Sequence, residues 1–259
     1  VDFSKFPITG NTGVNVNLST GLGPNGMKLT TIENIRGTTG NDTLVGNSDA
    51  NILVAAGGTD TVDGGVGNDR LLFKTIEDVA KSTINGGQND DVLEITTQTD
   101  IKVGLTTFDK VSDVEVLQIG YSKEATAAAA TITLADGADF NTIKEIRGTE
   151  SKDKKGVATD DVIQSAGNLD VSGLKLTSIE ELKSTAADKY IKVGAQTLTD
   201  VDKVTGHTTT GTTDLWLDAK TGDVFDLTNV QFSKIDRIGQ TFTAGDVAST
   251  ILVNQSLIN

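Results

Sequence analysis

A nine-residue repeat dominates the chain between Gly37 and Glu94. Written in register, the units run Gly37–Val45, Gly46–Val54, Ala55–Asp63 and Gly64–Leu72, and after an interruption Gly86–Glu94. Position six reads Asp42, Asn51, Asp60, Asp69 and Asp91, and position eight reads Leu44, Leu53, Val62, Leu71 and Leu93. Each unit therefore supplies a glycine-rich turn and a short strand whose middle side chain points inward. A strand of that length cannot bury itself, so successive units must stack into a solenoid. With two units to a coil, each unit lies above the next but one. That brings Asp42 near Asp60 and Asn51 near Asp69, on opposite edges of the roll. Like charges stacked at the ~4.8 Å strand spacing repel unless a cation lies between them. A hard cation held by carboxylate and backbone carbonyl oxygens in flexible coordination is calcium rather than magnesium. The competing reading is a solenoid whose Asn and Asp residues close the turns by hydrogen bonds alone, with no ion.

Composition bounds the rest. The 259 residues carry a formal net charge of -14, with 28 glycines, two prolines and no cysteine. Disulfides, thiolate zinc sites and thiol catalysis are excluded. The single histidine, His207, excludes any site needing two imidazoles. The acidic balance argues against a nucleic-acid partner, because phosphate binding needs a basic stripe. No apolar run approaches the ~20 residues of a membrane helix, so no membrane span is expected. Val1–Pro7 lacks the basic and apolar regions of a signal peptide, and the chain does not begin with Met. The expectation is a processed product or an excised piece of a longer protein.

The repeat resembles the calcium-binding nonapeptide of the RTX family, Gly-Gly-x-Gly-x-Asp-x-apolar-x. Leu29–Gly37, with Val16–Thr20 before it, looks like the segment that leads into the first repeat of large secreted bacterial proteins. The resemblance implies Ca2+, about two to three ions, each taking backbone carbonyls and an Asp from two stacked units. Carried over, the first set is Thr38, Gly40 and Asp42 with Ala55, Gly57 and Asp60. The second is Asn47, Asp49 and Asn51 with Gly64, Val66 and Asp69. The third joins Gly65, Gly67 and Asp69 to Gly86, Gln88 and Asp91. Departures from the family's pattern are Asn51 for Asp, Ala55 for Gly, Thr38 and Asn47 for Gly, and four extra residues within 73–85.

A second pattern occurs at Leu29–Ile35, Val111–Leu117, Phe140–Ile146, Leu176–Leu182 and Phe232–Ile238. Its expected inward pairs are Ile32/Ile35, Val114/Leu117, Ile143/Ile146, Ile179/Leu182 and Ile235/Ile238. Thr- and Val-rich flanks favour strands over a helical turn, so these read as further coils rather than a separate α+β domain. They resemble, more loosely, the irregular β-helices of bacterial S-layer proteins and RTX adhesins. Short helices are expected at Ile76–Lys81 and Glu124–Ala130, and a solvated, locally basic loop at Glu150–Gly156.

The fold expected is thus all-β: a right-handed parallel β-solenoid in which a calcium β-roll continues into an irregular β-helix. Residues 1–36 would form an N-terminal cap and lead-in coil, 37–95 the roll, and 96–259 the irregular solenoid with a C-terminal cap. No metalloprotease, hydrolase or phosphate-loop motif is present. Asp160-Asp161 and Glu180-Glu181 are adjacent in strands and face opposite ways, so neither is a ready acid/base couple. Tyr121, Tyr190 and Trp216 are far apart in sequence and offer little to a sugar. The expected role is structural and non-enzymatic: a secreted, cell-surface calcium module of a bacterial surface layer or adhesin. Its expected partners are calcium and either further copies of itself or a cell-surface polysaccharide or protein. The alternatives are the calcium-binding and export portion of a larger secreted enzyme or toxin, and a β-helix enzyme acting on polysaccharide.

Overall fold

The computed structural model describes residues 1–97, 100–120, 129–149, 160–208, 210–242 and 249–253. The helix expected at Glu124–Ala130 and the basic loop at Glu150–Gly156 lie largely outside them, as does Tyr121. The chain divides into two units, the first made of Val1–Gln98, Thr106–Tyr121 and Asp139–Ile143, the second of Thr99–Leu105, Ser122–Ala138 and Lys144–Asn259.

In the first unit, strands Thr12–Asn17, Asn41–Val45, Thr61–Val66, Thr83–Gln88 and Val111–Ser112 follow one another in one parallel sheet. Asn34–Arg36, Ile52–Val54, Arg70–Phe73, Val92–Ile95 and Val116–Ile119 follow one another in a second. Leu44 pairs with Val62 and Leu53 with Leu71, so the chain returns to the same edge every 18 residues. All five position-eight residues are buried. The coil rule read from the repeat is therefore the architecture: a parallel β-solenoid.

Residues 73–85 keep that rule while adding length. Ile76–Lys81 is a short helix whose N-cap, Thr75, accepts the Asp78 N–H; Ile76 and Val79 are buried. Glu77 and Asp78 lie in its first turn and Lys81 in its last, as the helix dipole favours. Thr83–Gln88 then rejoins the sheet with Ile84 over Val62, and the coil has grown to 22 residues.

In the second unit, Asp100–Val103, Thr131–Leu134, Val162–Ser165, Glu181–Ser184, Lys203–Thr205 and Gln231–Ser233 form one parallel sheet. Leu169–Asp170, Lys189–Val193, Thr213–Ala219 and Arg237–Phe242 form another. Among the described residues the strands of this unit pair in parallel, including Glu145–Arg147 with Lys175–Thr177 and Val224–Asp226 with Thr250–Leu252. Its core is a column of Ile, Leu and Val: Ile101, Ile132, Ile163, Leu182 and Val204 are stacked in register and fully buried.

The second sequence pattern marks corners. Thr31, Asp113, Ser178 and Lys234, the third residue in four copies, adopt left-handed φ of 49–59°, and Asn141 does so one residue early in the other copy. A non-glycine residue in that region costs about 1 kcal/mol or more, so the surrounding coil must hold it. The acidic side chain two residues further on does this at three corners. Glu115, Glu180 and Asp236 each accept a backbone N–H from the coil before, of Asp91, Asp161 and Thr213.

Most of the expected inward residues are buried, but three are not. Ile32 and Ile235 are half-buried and Ile238 is 40% exposed. Ile238 lies on Arg237–Phe242, the last strand of its sheet, and among the described residues no strand stacks on it. Leu182→Ala should therefore cost about 2–5 kcal/mol in urea unfolding, whereas Ile238→Ala should cost under about 1 kcal/mol.

Candidate metal centre

The loops between strands stack in two columns, one leading into each sheet of the first unit. A side-chain oxygen of each coil accepts a backbone N–H of the coil before it. In one column Val14 donates to Asp42 Oδ1 (2.7 Å), Asp42 to Asp60 Oδ1 (2.8 Å), and Asp60 to Ser82 Oγ (2.9 Å). In the other Asn51 donates to Asp69 Oδ1 (2.7 Å), Asp69 to Asp91 Oδ1 (2.7 Å), and Asp91 to Glu115 Oε2 (2.9 Å). Where position six is Asp, one carboxylate oxygen is thus a structural acceptor whatever the second does, whereas the Asn51 amide donates to Glu33 O of the coil before.

The second oxygen separates two kinds of loop. Residues 37–42 and 46–51 contain no left-handed residue and close on themselves. Thr38 donates its N–H to Asp42 Oδ2 and its hydroxyl to Asp42 Oδ1, both at 2.8 Å, and its Oγ1 also accepts Gly40 N–H. Asn47 donates its N–H to Asn51 Oδ1, and the Asn51 amide donates to Glu33 O and Asn47 Oδ1. The polar residues that replace glycine at position two are therefore the ones that satisfy position six.

The other three loops are open. Ala56, Gly57 and Gly58, then Gly65 and Gly67, then Gly87 and Asn89 all have left-handed φ. Asp60, Asp69 and Asp91 are at most 1% exposed, and the Oδ2 of each has no hydrogen-bond partner. Backbone carbonyls of the neighbouring coil press against these loops. A Cβ at Gly58, Gly65, Gly67 or Gly87 would come within 2.8 Å of the carbonyl oxygen of Gly40, Asn47, Asp49 or Gly65 respectively. Glycine is needed there for that approach as much as for its φ.

The three candidate sets are placed accordingly. The first joins the closed Thr38–Gly40–Asp42 loop to buried Ala55, left-handed Gly57 and Asp60, and holds one unpartnered oxygen. The second joins the closed Asn47–Asn51 loop, with Asp49 exposed, to Gly64, Val66 and Asp69, and again holds one. In it the Asn47 carbonyl already accepts Val66 N–H. The third, despite its longer coil, stacks two open loops, Gly65–Gly67–Asp69 on Gly86–Gln88–Asp91, and gathers two such oxygens. There Gln88 O accepts Gly67 N–H.

Buried carboxylate oxygens without partners are expensive, and the chain must either protonate them or pair them with a cation. Burial, reinforced by the neighbouring carboxylates, pushes Asp60 and Asp91 up to about 7 and raises Asp69. Asp69 Oδ2 lies against Gly64 together with the Gly86 carbonyl, and Asp91 Oδ2 against Gly86 together with the Asp113 carbonyl, a setting that suits a hard oxygen-seeking ion such as calcium. Among the described residues no three His, Cys, Asp or Glu side chains converge, so carbonyls would have to complete the coordination.

Residues 36–71 match the family model of the RTX calcium-binding nonapeptide repeat, in four copies. This segment of the chain carries RTX calcium-binding repeats, which supports calcium as the ion. The fifth repeat, Gly86–Glu94, lies beyond the matched residues. No curated protein and no solved structure matches the chain.

One arrangement escaped the sequence reading. In the second unit Thr149 binds Asp161 through its N–H and hydroxyl, Ala130 N–H donates to Asp161, and Asp161 N–H donates to Glu180 Oε2 (2.7 Å). This is the Thr38–Asp42 clasp again, and Gly148 abuts the Asp161 carboxylate as Gly37 abuts that of Asp42. The signal was available in Ile35-Arg-Gly-Thr38 and Ile146-Arg-Gly-Thr149. Both Asp161 oxygens accept hydrogen bonds, so this corner has no call for an ion.

The raised carboxyls set the pH dependence of the metal-free roll. Between about 4 and about 7 the folded state binds more protons than the unfolded one, so stability falls as pH rises through that window. In chelator, the denaturation midpoint should drop from pH 5 to pH 8. Asp91→Asn should flatten that slope, and saturating calcium should abolish it.

Proposed function

We propose that this chain is a structural, non-catalytic module of a bacterial cell-surface protein, a surface layer or an adhesin, that folds and self-associates when calcium binds outside the cell. The observation that carries the reading is the set of buried, unpartnered Oδ2 atoms on Asp60, Asp69 and Asp91. They oppose packing of the coils until a cation neutralises them, which links folding to metal. Two to three ions would be held by the three sets named above, with Asp69 shared between the second and third.

The carboxylates outside the roll support a structural role. Asp161 is fully buried and clasped by Thr149, and Glu181 is held by Lys203 (3.1 Å) and by the Thr205 hydroxyl. Of the two acidic pairs singled out in the sequence, Asp161, Glu180 and Glu181 hold coils together, while Asp160 is exposed. Extracellular calcium modules bind at about 10⁻⁴–10⁻³ M, so such a module stays loose inside a cell and condenses on export.

Circular dichroism and sedimentation during a calcium titration test this. The strand signal should rise cooperatively with a midpoint near about 10⁻⁴–10⁻³ M, magnesium should not replace calcium, and the calcium form should sediment as oligomers. A fold unchanged in EGTA would sink the calcium switch. A strictly monomeric calcium form would sink the self-association.

A further inference from the structure

The outward face of the sheet formed by Leu169–Asp170, Lys189–Val193, Thr213–Ala219 and Arg237–Phe242 gathers two aromatic side chains and several charged ones. Tyr190 stands opposite Asp214 and Lys192 opposite Trp216, so the two aromatic rings sit diagonally on adjacent strands. Although far apart in sequence, Tyr190 and Trp216 are neighbours on this face. Their neighbours Ile191, Leu215 and Leu217 point into the core, so both rings face out and both are half-buried. Trp216 stands opposite Gly239 on the next coil, and its six-membered ring covers that glycine: a Cβ there would meet Trp216 at 2.4 Å. The indole is thus laid over the sheet, supported from below. Among the described residues neither the Trp216 indole N–H nor the Tyr190 hydroxyl has a hydrogen-bond partner.

Fixed charges frame the rings. Arg237 holds Asp214 through two nitrogens, at 2.9 and 2.5 Å. Lys192 Nζ reaches Asp218 Oδ1 at 3.1 Å and Asp170 Oδ2 at 3.6 Å, and the Thr241 hydroxyl also donates to Asp218. Asp218 further lines a polar cavity of about 200 Å³, shared with Ser172, Gln196 and Lys220, where these strands end. An electron-rich ring face attracts the polarised C–H groups of a pyranose, and ordered carboxylates accept its hydroxyls. Four carboxylates (Asp170, Asp214, Asp218 and Asp223) stand among three cations (Lys192, Arg237 and Lys220), so the face offers no basic excess to hold a uronate.

We infer that Trp216 and Tyr190 form a binding platform for a neutral polysaccharide, with the Asp218 cavity taking one sugar residue beside the stacked ring. This gives the cell-surface reading above a partner of defined chemistry and rests on that reading for its setting. Because Trp216 is the only tryptophan, intrinsic fluorescence reports this face alone.

The test is native affinity electrophoresis of the full chain at saturating calcium, in gels holding dextran, mannan, xylan or mixed-linkage β-glucan, with polygalacturonate as the acidic control. At least one neutral polymer should retard the chain and shift the Trp216 emission, and polygalacturonate should not. Trp216→Ala should weaken retardation about tenfold or more, and Tyr190→Ala several-fold, with circular dichroism unchanged. Gly239→Val, which displaces the indole without deleting it, should weaken binding as well. No retardation by any neutral polymer, equal retardation of Trp216→Ala, or preferential retardation by polygalacturonate overturns the inference. So does an emission shift that follows protein concentration without glycan, which would assign the face to a second copy of the chain. A normal calcium response without glycan binding defeats this inference alone. Glycan binding without a calcium response defeats only the calcium switch.

Discussion

A backbone N–H reaching a side-chain oxygen one coil away is the interaction on which the roll depends. Parallel strands of three to six residues carry few ladder hydrogen bonds, and the loops between them leave further N–H groups to be satisfied. Asp60, Asp69, Asp91 and Glu115 meet that need, each accepting the N–H of the preceding loop. The price is that a carboxylate enters the interior with two oxygens when the backbone needs only one. Everything distinctive about the open loops follows from that second oxygen.

Two chemistries deal with it. Thr38 and Asn47 bring extra donors to position two, and their loops close without help. Where position two is Ala56, Gly65 or Gly87 the backbone turns left-handed, brings carbonyls close, and leaves the carboxylate oxygen bare. The first kind of loop is satisfied by the chain's own donors and the second suits a cation. Both occur within one roll, the closed loops in its earlier coils and the open ones in its later coils. The negative charge of the repeat region is thereby divided between groups already bound and groups that an ion must neutralise.

The coil length, the inward column Leu44, Leu53, Val62, Leu71 and Leu93, and the stacking of Asp42 on Asp60 were legible because a strict period fixes what lies above what. The helix Ile76–Lys81 was also legible, from its local pattern. The five corner motifs were located correctly but understood only in part. Their apolar residues were read as core, while the left-handed residue and the carboxylate reaching back a coil went unseen. Neither feature has a periodic signature. Tyr190 and Trp216 illustrate the limit more sharply: once coil lengths vary, sequence separation no longer says which residues share a face. The contrast between closed and open loops was hidden for a different reason. Thr38 and Asn47 look like departures from a pattern until their hydrogen bonds are known.

The clasp between Thr149 and Asp161 spans 12 positions, whereas the one between Thr38 and Asp42 spans four, yet both deliver the chain to the next strand in the same way. A coil in this molecule is therefore defined by where it is fastened, and its contour length is free. Loop closure penalises added residues only logarithmically, so sequence inserted between the two halves of a clasp is inexpensive. A solenoid fastened this way can lengthen, shorten or exchange what it displays at one corner while the strands above and below stay in register. Such a frame lets a surface diversify without renegotiating its core.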